Sequence, residues 1–212
     1  MRKVPRQARS RATVEAIVLA GARVLGDRGW AGFNTNDVAE VAGVSIGSLY
    51  QYFPDKQALV EAIRQRHLDD VLALLPQPGA SKRPLVQLVT ELVEGLVAAH
   101  SVHPALHRVL LEIAPPHTGA GSTRAVFETQ YQERYRVLVA AARPRGAVAT
   151  GVVVQVLSAA VEGVVHGAAR NGSLQSKALK TELVSLVCSY LVGTGQGQEA
   201  TEIGKQSKVK AA

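Results

Sequence analysis

The chain has 212 residues, one cysteine (Cys188) and a formal charge of +7, with 47% of its residues hydrophobic and 19% charged. That is enough apolar material for a sizeable core in one domain or two small ones, and the positive balance suits a polyanionic partner. One cysteine excludes an intramolecular disulfide and fits a reducing cytosol.

The N-terminus is basic but has no apolar stretch behind it, so no signal peptide is expected. No run of ~18 apolar residues is free of charges or helix breakers. The nearest, Val148–Val165, is interrupted by Gln155 and Glu162. A cytoplasmic protein with no membrane partner is the expectation. Arg2, Lys3, Arg6, Arg9 and Arg11 all precede the first acid, Glu15. Such an arm can lie along a phosphate backbone, and it can equally be a frayed, solvated end.

Helical spacing then governs the chain. Val14, Ile17, Val18, Gly21, Val24 and Leu25 form one stripe, ended by Gly29, with Trp30 and Phe33 expected to plug the following loop. A second helix is expected from Thr35, with the Thr35 hydroxyl as its cap and Val38, Ala39, Val41 and Ala42 on its inner side. Gly43 makes a turn, and Ser45 caps a third, short helix to about Phe53. Pro54-Asp55 starts a fourth, with Leu59, Val60, Ile63, His67, Val71 and Leu72 along one side.

Pro76–Pro84 reads as a loop. Leu85–Ala99 is apolar on most sides, as in a helix buried inside a bundle. Pro104 breaks the pattern, a short helix follows to Ala114, and Pro115–Gly121 is another loop. Helices are predicted at Thr123–Ala142, Ala147–Asn171 and Ser176–Val192. Gly193–Ala212 is rich in Gly, Gln and Lys and is expected to be disordered. With no strand alternation and no repeat, the fold class is all-α, with about nine helices.

The most informative stretch is Thr35–Lys56, TNDVAEVAGVSIGSLYQYFPDK. Two short helices can cross closely at Ala39 and Gly43. The second offers Ser45, Ser48, Tyr50, Gln51 and Tyr52, all able to donate to phosphates or base edges. Gly47 lets the backbone approach a groove wall. Gln51 can pair bidentately with adenine, and Ile46 or the Ser48 methylene can touch a thymine methyl. Lys56, at the start of the next helix, adds its charge to the helix dipole's attraction for phosphate.

At these residues the chain resembles the TetR family of bacterial one-component regulators. The signature lies in Thr35, Ala42-Gly43-Val44, Gly47-Ser48-Leu49-Tyr50, Tyr52-Phe53 and Lys56, and the likeness extends over roughly Ser10–Leu72. It implies an N-terminal three-helix helix-turn-helix domain followed by a C-terminal helical domain for effector binding and dimerisation. The expected boundaries are 1–56, 57–193 and a disordered tail over 194–212. The resemblance implies that Thr35, Tyr52 and Lys56 touch phosphates; Arg9 and Arg11, from the basic arm, are further candidate DNA contacts. Ser45, Ile46, Gly47, Ser48 and Gln51 would face the groove, and Tyr50 would straddle backbone and base. Val38, Val44, Leu49 and Phe53 read as the brace behind them.

One reading helix contacts too few base pairs for selective binding, so a homodimer on double-stranded operator DNA is expected. Val148–His166 and Leu183–Val192 are long, apolar and dotted with Gly151, Ala159, Ala160 and Gly163, which suits helix pairing across a two-fold. Glu162, His166 and Arg170 recur every four residues and read as an interface ladder, as ligand contacts or as a solvated stripe. An effector pocket between the central helices is implied by the resemblance. Aromatics are too few for a cationic cage, so an aliphatic pocket for a hydrophobic or amphipathic effector is expected. Candidate lining residues are Leu92, Leu96, Leu110, Phe127, Tyr131, Tyr135 and His166, each of which can also be plain core.

His100, His103 and His107 have a spacing that would suit zinc or nickel on an unbroken helix, but Pro104 falls among them. A polar corner between helices is the simpler account, so no metal, no cofactor and no enzymatic activity are expected. Two competitors to a ligand-responsive repressor are carried forward. One is a sequence-neutral architectural DNA-binding protein. The other is a helical metal-dependent enzyme using those histidines, which lacks any nucleophile elbow, P-loop, paired cysteines or HExxH pattern in support.

Overall fold

The computed structural model describes residues 8–77, 83–110, 123–142 and 150–209, with side chains in the last two helices described from Gly151 to Gly193. Among these residues the fold is all-helical, as expected. Its elements are α1 (Ala8–Gly32), α2 (Thr35–Val41), α3 (Ile46–Tyr52), α4 (Lys56–Ala73), α5 (Leu85–Val102), α6 (Pro104–Arg108), α7 (Thr123–Ala142), α8 (Thr150–Arg170) and α9 (Lys177–Val209). They form two compact units, Met1–Val71 with His100–Glu128 and Leu72–Ala99 with Thr129–Ala212.

In the first unit Ile17, Leu25, Val38, Leu49, Phe53, Leu59, Ile63 and Leu110 make one buried cluster. Each large side chain buried there is worth about 1.5–3 kcal/mol relative to exposure. α1 and α4 approach closely at Gly21, where an added Cβ would sit 2.7 Å from the Ile63 Cδ1. Gly29 does punctuate α1: its left-handed φ of 67° kinks the helix before the last turn runs on to Gly32. α4, assigned from residue 57 to the effector domain on sequence grounds, packs on this first core through Leu59, Val60 and Ile63. Its apolar stripe otherwise matches expectation, and Arg64 adds a buried cation tied to Glu61 and, at 3.3 Å, to the Leu110 carbonyl.

Two local readings are corrected. Asn34, not Thr35, caps α2: its side-chain oxygen accepts from the Asp37 amide at 2.9 Å, and Thr35 is the first helical residue. Both residue types cap well, and the extended backbone at Asn34 decides between them. Val41 is exposed because it falls off the helix face set by Val38, Ala39 and Ala42. Ser45 caps α3 as expected, its Oγ accepting from the Ser48 amide at 3.1 Å, and Asp55 caps α4 through the Ala58 amide at 2.7 Å. Gly43 turns the chain between α2 and α3 at φ 66°.

In the second unit α5 buries Leu88, Val89, Leu92, Val93, Leu96 and Val97. Gly95 is required there, since a Cβ would collide with the Leu74 carbonyl oxygen. α8 buries Val153, Val154, Leu157, Val161 and Val165, and α9 buries Leu183, Val187 and Leu191. Among the described residues α5 and α8 are each long and apolar enough to cross a membrane by length and composition, which the sequence reading had discounted. Half of the α5 window is buried inside the fold, the behaviour of a core helix.

The backbone of α9 runs to Val209, into the stretch that composition assigned to a disordered tail. A helix already nucleated propagates readily through Glu199, Ala200, Glu202 and Lys205. The side chains beyond Gly193, the predicted loop Pro115–Gly121, most of the loop Pro76–Pro84 and the arm residues Arg2, Lys3 and Arg6 lie outside the described residues.

Candidate nucleic-acid interface and effector region

α3 is a seven-residue helix with a sharp division of labour. Leu49 is fully buried, and so is Phe53 just past its end. Ile46, Gly47, Tyr50 and Gln51 are exposed, while Ser48 and Tyr52 are half-buried. Ser45 and Ser48 are joined, hydroxyl to hydroxyl, at 2.9 Å, so Ser45 is engaged in capping as well as lying beside the exposed face. At Gly47 an added Cβ would meet only the Ser45 Oγ, at 3.9 Å. Nothing among the described residues therefore demands glycine at that position.

Two of the expected phosphate-contacting residues, Thr35 and Lys56, are already partnered inside the first unit. The Thr35 hydroxyl lies 3.0 Å from the Tyr50 hydroxyl, which ties the first residue of α2 to the exposed face of α3. The Lys56 ammonium donates to the Trp30 carbonyl at 3.2 Å and sits 4.2 Å above the Trp30 ring, with the Phe33 ring 5.5 Å away. Trp30 and Phe33 thus fill the α1–α2 connection and also seat a cation, a role the sequence did not suggest. Asp37 accepts from Asn34 at 2.6 Å and from Arg28, locking α1 to the start of α2. Arg9 is exposed and Arg11 lies beside it, both inside α1 rather than in a free arm.

The histidines regroup. His103 is exposed at the break before α6, outside the buried ring contacts. His100 and His107 are buried with ring centroids 4.2 Å apart. The third member is His67 from α4, whose Nε2 lies 2.8 Å from the His107 Nδ1, one ring donating and the other accepting. Burial, with smaller contributions from neighbouring His103 and His100, lowers the pKa of His67 to about 4 against the opposing pull of Asp70. Periodicity over 100–107 could not reveal a partner on another helix.

Of the expected effector-lining residues, Leu110 and Phe127 belong to the first unit, buried and half-buried respectively. Leu92, Leu96, Tyr131, Tyr135 and His166 belong to the second, where only His166 is less than fully buried. The Tyr131 and Tyr135 hydroxyls are 2.9 Å apart, with the rings edge to face. Burial holds the Tyr131 hydroxyl well above its ordinary pKa, reinforced by Tyr135 and by a hydrogen bond to Glu162.

Glu162 therefore faces α7, which separates it from the expected ladder, while Arg170 at the other end is exposed. Cys188 is half-buried, and burial raises its thiol pKa. A cleft of about 420 Å³ in this unit, lined by Leu74, Pro76, Arg83, Glu91 and Glu94 among others, contains none of the expected lining residues. Arg134, which the sequence reading passed over, is buried on α7.

The small residues Gly151, Ala159, Ala160 and Gly163 all lie on the outward face of α8, together with Val152 and Val156. Leu186 and Val192 on α9 are exposed as well. α8 is thus apolar on both sides, one packed within its unit and the other open.

Residues 17–63 match the model of the tetR family of bacterial regulatory proteins, and residues 84–191 match the tetracyclin repressor-like C-terminal domain. The HTH-type transcriptional repressor KstR2 of Rhodococcus jostii is 33% identical over 84 residues, 38% of this chain and 41% of that protein, so the matched part spans less than half of KstR2. An HTH-type transcriptional regulator of Mycobacterium tuberculosis is 24% identical over 82% of this chain and 92% of its own length. The crystal structure of a tetR-family regulator from Streptomyces coelicolor superposes with a TM-score of 0.66 at 19% identity, covering 85% of this chain and 81% of that one. One family model sits on α1–α4 and the other on α5–α9, and the chain belongs to the tetR family of bacterial regulatory proteins.

Proposed function

We propose that this protein is a cytoplasmic transcriptional repressor that binds operator DNA as a homodimer and is released by a hydrophobic or amphipathic effector. The observation that carries the DNA-binding reading is the exposed face of α3. Ile46, Gly47, Tyr50 and Gln51 point outward from a helix held rigidly by Leu49 and Phe53.

In this reading α3 enters the major groove, Gln51 reads base edges, and Ser48 and Ile46 flank it. Thr35, Tyr52 and Lys56 hold phosphates, with Arg9 and Arg11 adding charge along the backbone. In this reading residues 1–56 carry the DNA contacts and 57–193 the effector and dimer functions, with α4 bracing the first unit from the start of the second part. Repression is the sign in the name of KstR2, and it is proposed for this chain. The effector acts by binding one conformation better than the one that fits successive grooves, so release follows from differential affinity.

The open apolar face of α8 and α9 supports the homodimer, since small residues allow a second copy's helices to approach closely. Ala160→Arg should convert the protein to a monomer in analytical ultracentrifugation, and a variant that still sediments as a dimer would remove that face from the interface.

The direct test of DNA reading is selection from random duplexes. Enriched half-sites about one helical turn or a multiple apart are expected. Gln51→Ala should then cost about 1–3 kcal/mol on the selected site and leave affinity for random duplex unchanged. Failure of the wild type to enrich any sequence would favour the architectural reading.

A further inference from the structure

Pro104 interrupts the helical spacing of the histidines, yet the break it makes brings two of them together. His103 leaves helical geometry at φ −142° and ψ 68°, and α6 starts afresh at Pro104. Across that break the His100 and His107 rings pack with centroids 4.2 Å apart and planes 49° apart. A ring nitrogen of one lies within 4.8 Å of a ring nitrogen of the other. Both side chains are deeply buried, at 7% and 8% exposure, and both belong to the first unit, as does His67.

Each of the two rings makes other contacts, but the His100 Nε2 and the His107 Nε2 meet no hydrogen-bonding group among the described residues. A buried ring nitrogen in that state is costly unless something else satisfies it. His67 indicates what. Its Nε2 stands 2.8 Å from the His107 Nδ1. With His107 donating from Nδ1, its lone pair sits on Nε2. Metal-ligating histidines are held in this way: the second ring nitrogen donates to a neighbour, which fixes tautomer and orientation.

The donor chemistry narrows the ion. Neutral imidazoles suit zinc, nickel or copper, whereas magnesium and calcium take oxygen ligands. Zinc–nitrogen bonds of about 2.0–2.1 Å place two tetrahedral ligand nitrogens roughly 3.3 Å apart. That separation falls within the 4.8 Å bound on the two rings' nitrogens.

We propose that His100 and His107 bind a divalent transition-metal ion of the zinc class through their Nε2 atoms, with His67 positioning His107. Two protein ligands leave coordination positions open to water or an anion. The ion would tie the end of α5 to α6, whose Leu106 Cβ lies 3.6 Å from where a Cβ on Gly26 of α1 would stand. It would thereby stiffen the unit that carries α2 and α3.

The test uses untagged, full-length protein stripped with a chelator, then titrated with zinc by calorimetry and with cobalt by visible absorption. Wild type should take up about one equivalent of either ion, and cobalt should show d–d bands of nitrogen ligation. His67→Leu, which removes the acceptor for the His107 Nδ1 proton, should weaken zinc binding roughly 10–100-fold. His67→Gln should restore part of it, because an amide oxygen can accept that proton. His100→Gln and His107→Gln should each lose more than His67→Leu. His103→Gln should bind as wild type does.

No stoichiometric uptake of either ion by wild type overturns the site. So does zinc affinity undiminished in both His100→Gln and His107→Gln, or an equal loss in His103→Gln, which would move the ion to the exposed break. Wild-type affinity in His67→Leu removes the positioning role. Should the ligand variants fail to fold, the cobalt spectrum of wild type against that of His103→Gln decides: bands present and alike in both support the site, and bands absent from either overturn it.

Discussion

The hairpin Thr35–Phe53 and the helix α7 handle polar groups in opposite ways. On the hairpin, polar and apolar side chains separate by exposure: Leu49 and Phe53 vanish into the core while Gln51 and Tyr50 stand in solvent. On α7 three polar side chains go inside with the apolar ones: Tyr131, Arg134 and Tyr135 are all buried, while Glu128 and Glu133 stay exposed. A surface that reads a polyanion needs its donors outside and its brace inside. A region proposed to enclose a small molecule would need its donors within. The two functions therefore write themselves into a sequence with very different clarity.

Replacing a brace residue should give the largest effect and separates brace from reader most sharply. Leu49→Ala removes a fully buried side chain, and about 2–5 kcal/mol of stability should go with it. The urea midpoint should fall at unchanged slope, whereas Gln51→Ala, two residues on, should leave the midpoint where it was. Equal midpoints for the two variants would mean that the division of α3 into two faces is wrong.

The second effect tests whether buried polar groups in the first unit behave like those on α7. His67 has a folded pKa of about 4 against 6.5 for an ordinary imidazole. The folded state therefore binds fewer protons than the unfolded chain between those values. Stability from this group is complete above pH 6.5 and is lost as pH falls towards 4, by roughly 3 kcal/mol in all. His67→Gln should flatten that part of the stability–pH curve, measured by denaturation at a series of pH values. An unchanged slope in His67→Gln would place the pH dependence elsewhere.

Most helices were legible because a 3.6-residue stripe and a capping residue are local signals. Ser45, Gly43 and the predicted bounds Thr123–Ala142 came directly from such signals. Pairings across helices were not. Nothing in the spacing of His100, His103 and His107 points to His67, and nothing near Lys56 announces the Trp30 ring. The choice of Asn34 over Thr35 as cap was only weakly signalled: asparagine is the better cap on average, but adjacent capping residues are finally separated by backbone angle. Arg134 escaped notice because an arginine among tyrosines and valines on a helix reads as a solvated side chain until its burial is known.

The smallest expected effect on stability is also the most discriminating test of the hairpin. Gly47 occupies a helical position where a Cβ meets nothing closer than 3.9 Å, so the fold gives no reason for it. Glycine inside a helix costs about 1 kcal/mol relative to alanine, so Gly47→Ala should leave the protein as stable as before or up to that amount more stable. If the glycine is there to let the backbone approach a groove wall, the same methyl group should weaken binding to the selected operator, in a direction opposite to its effect on folding. Thermal denaturation and operator titration on one preparation settle both halves. A variant that gains stability and keeps full operator affinity would show that α3 meets DNA, if at all, through a face that does not include Gly47.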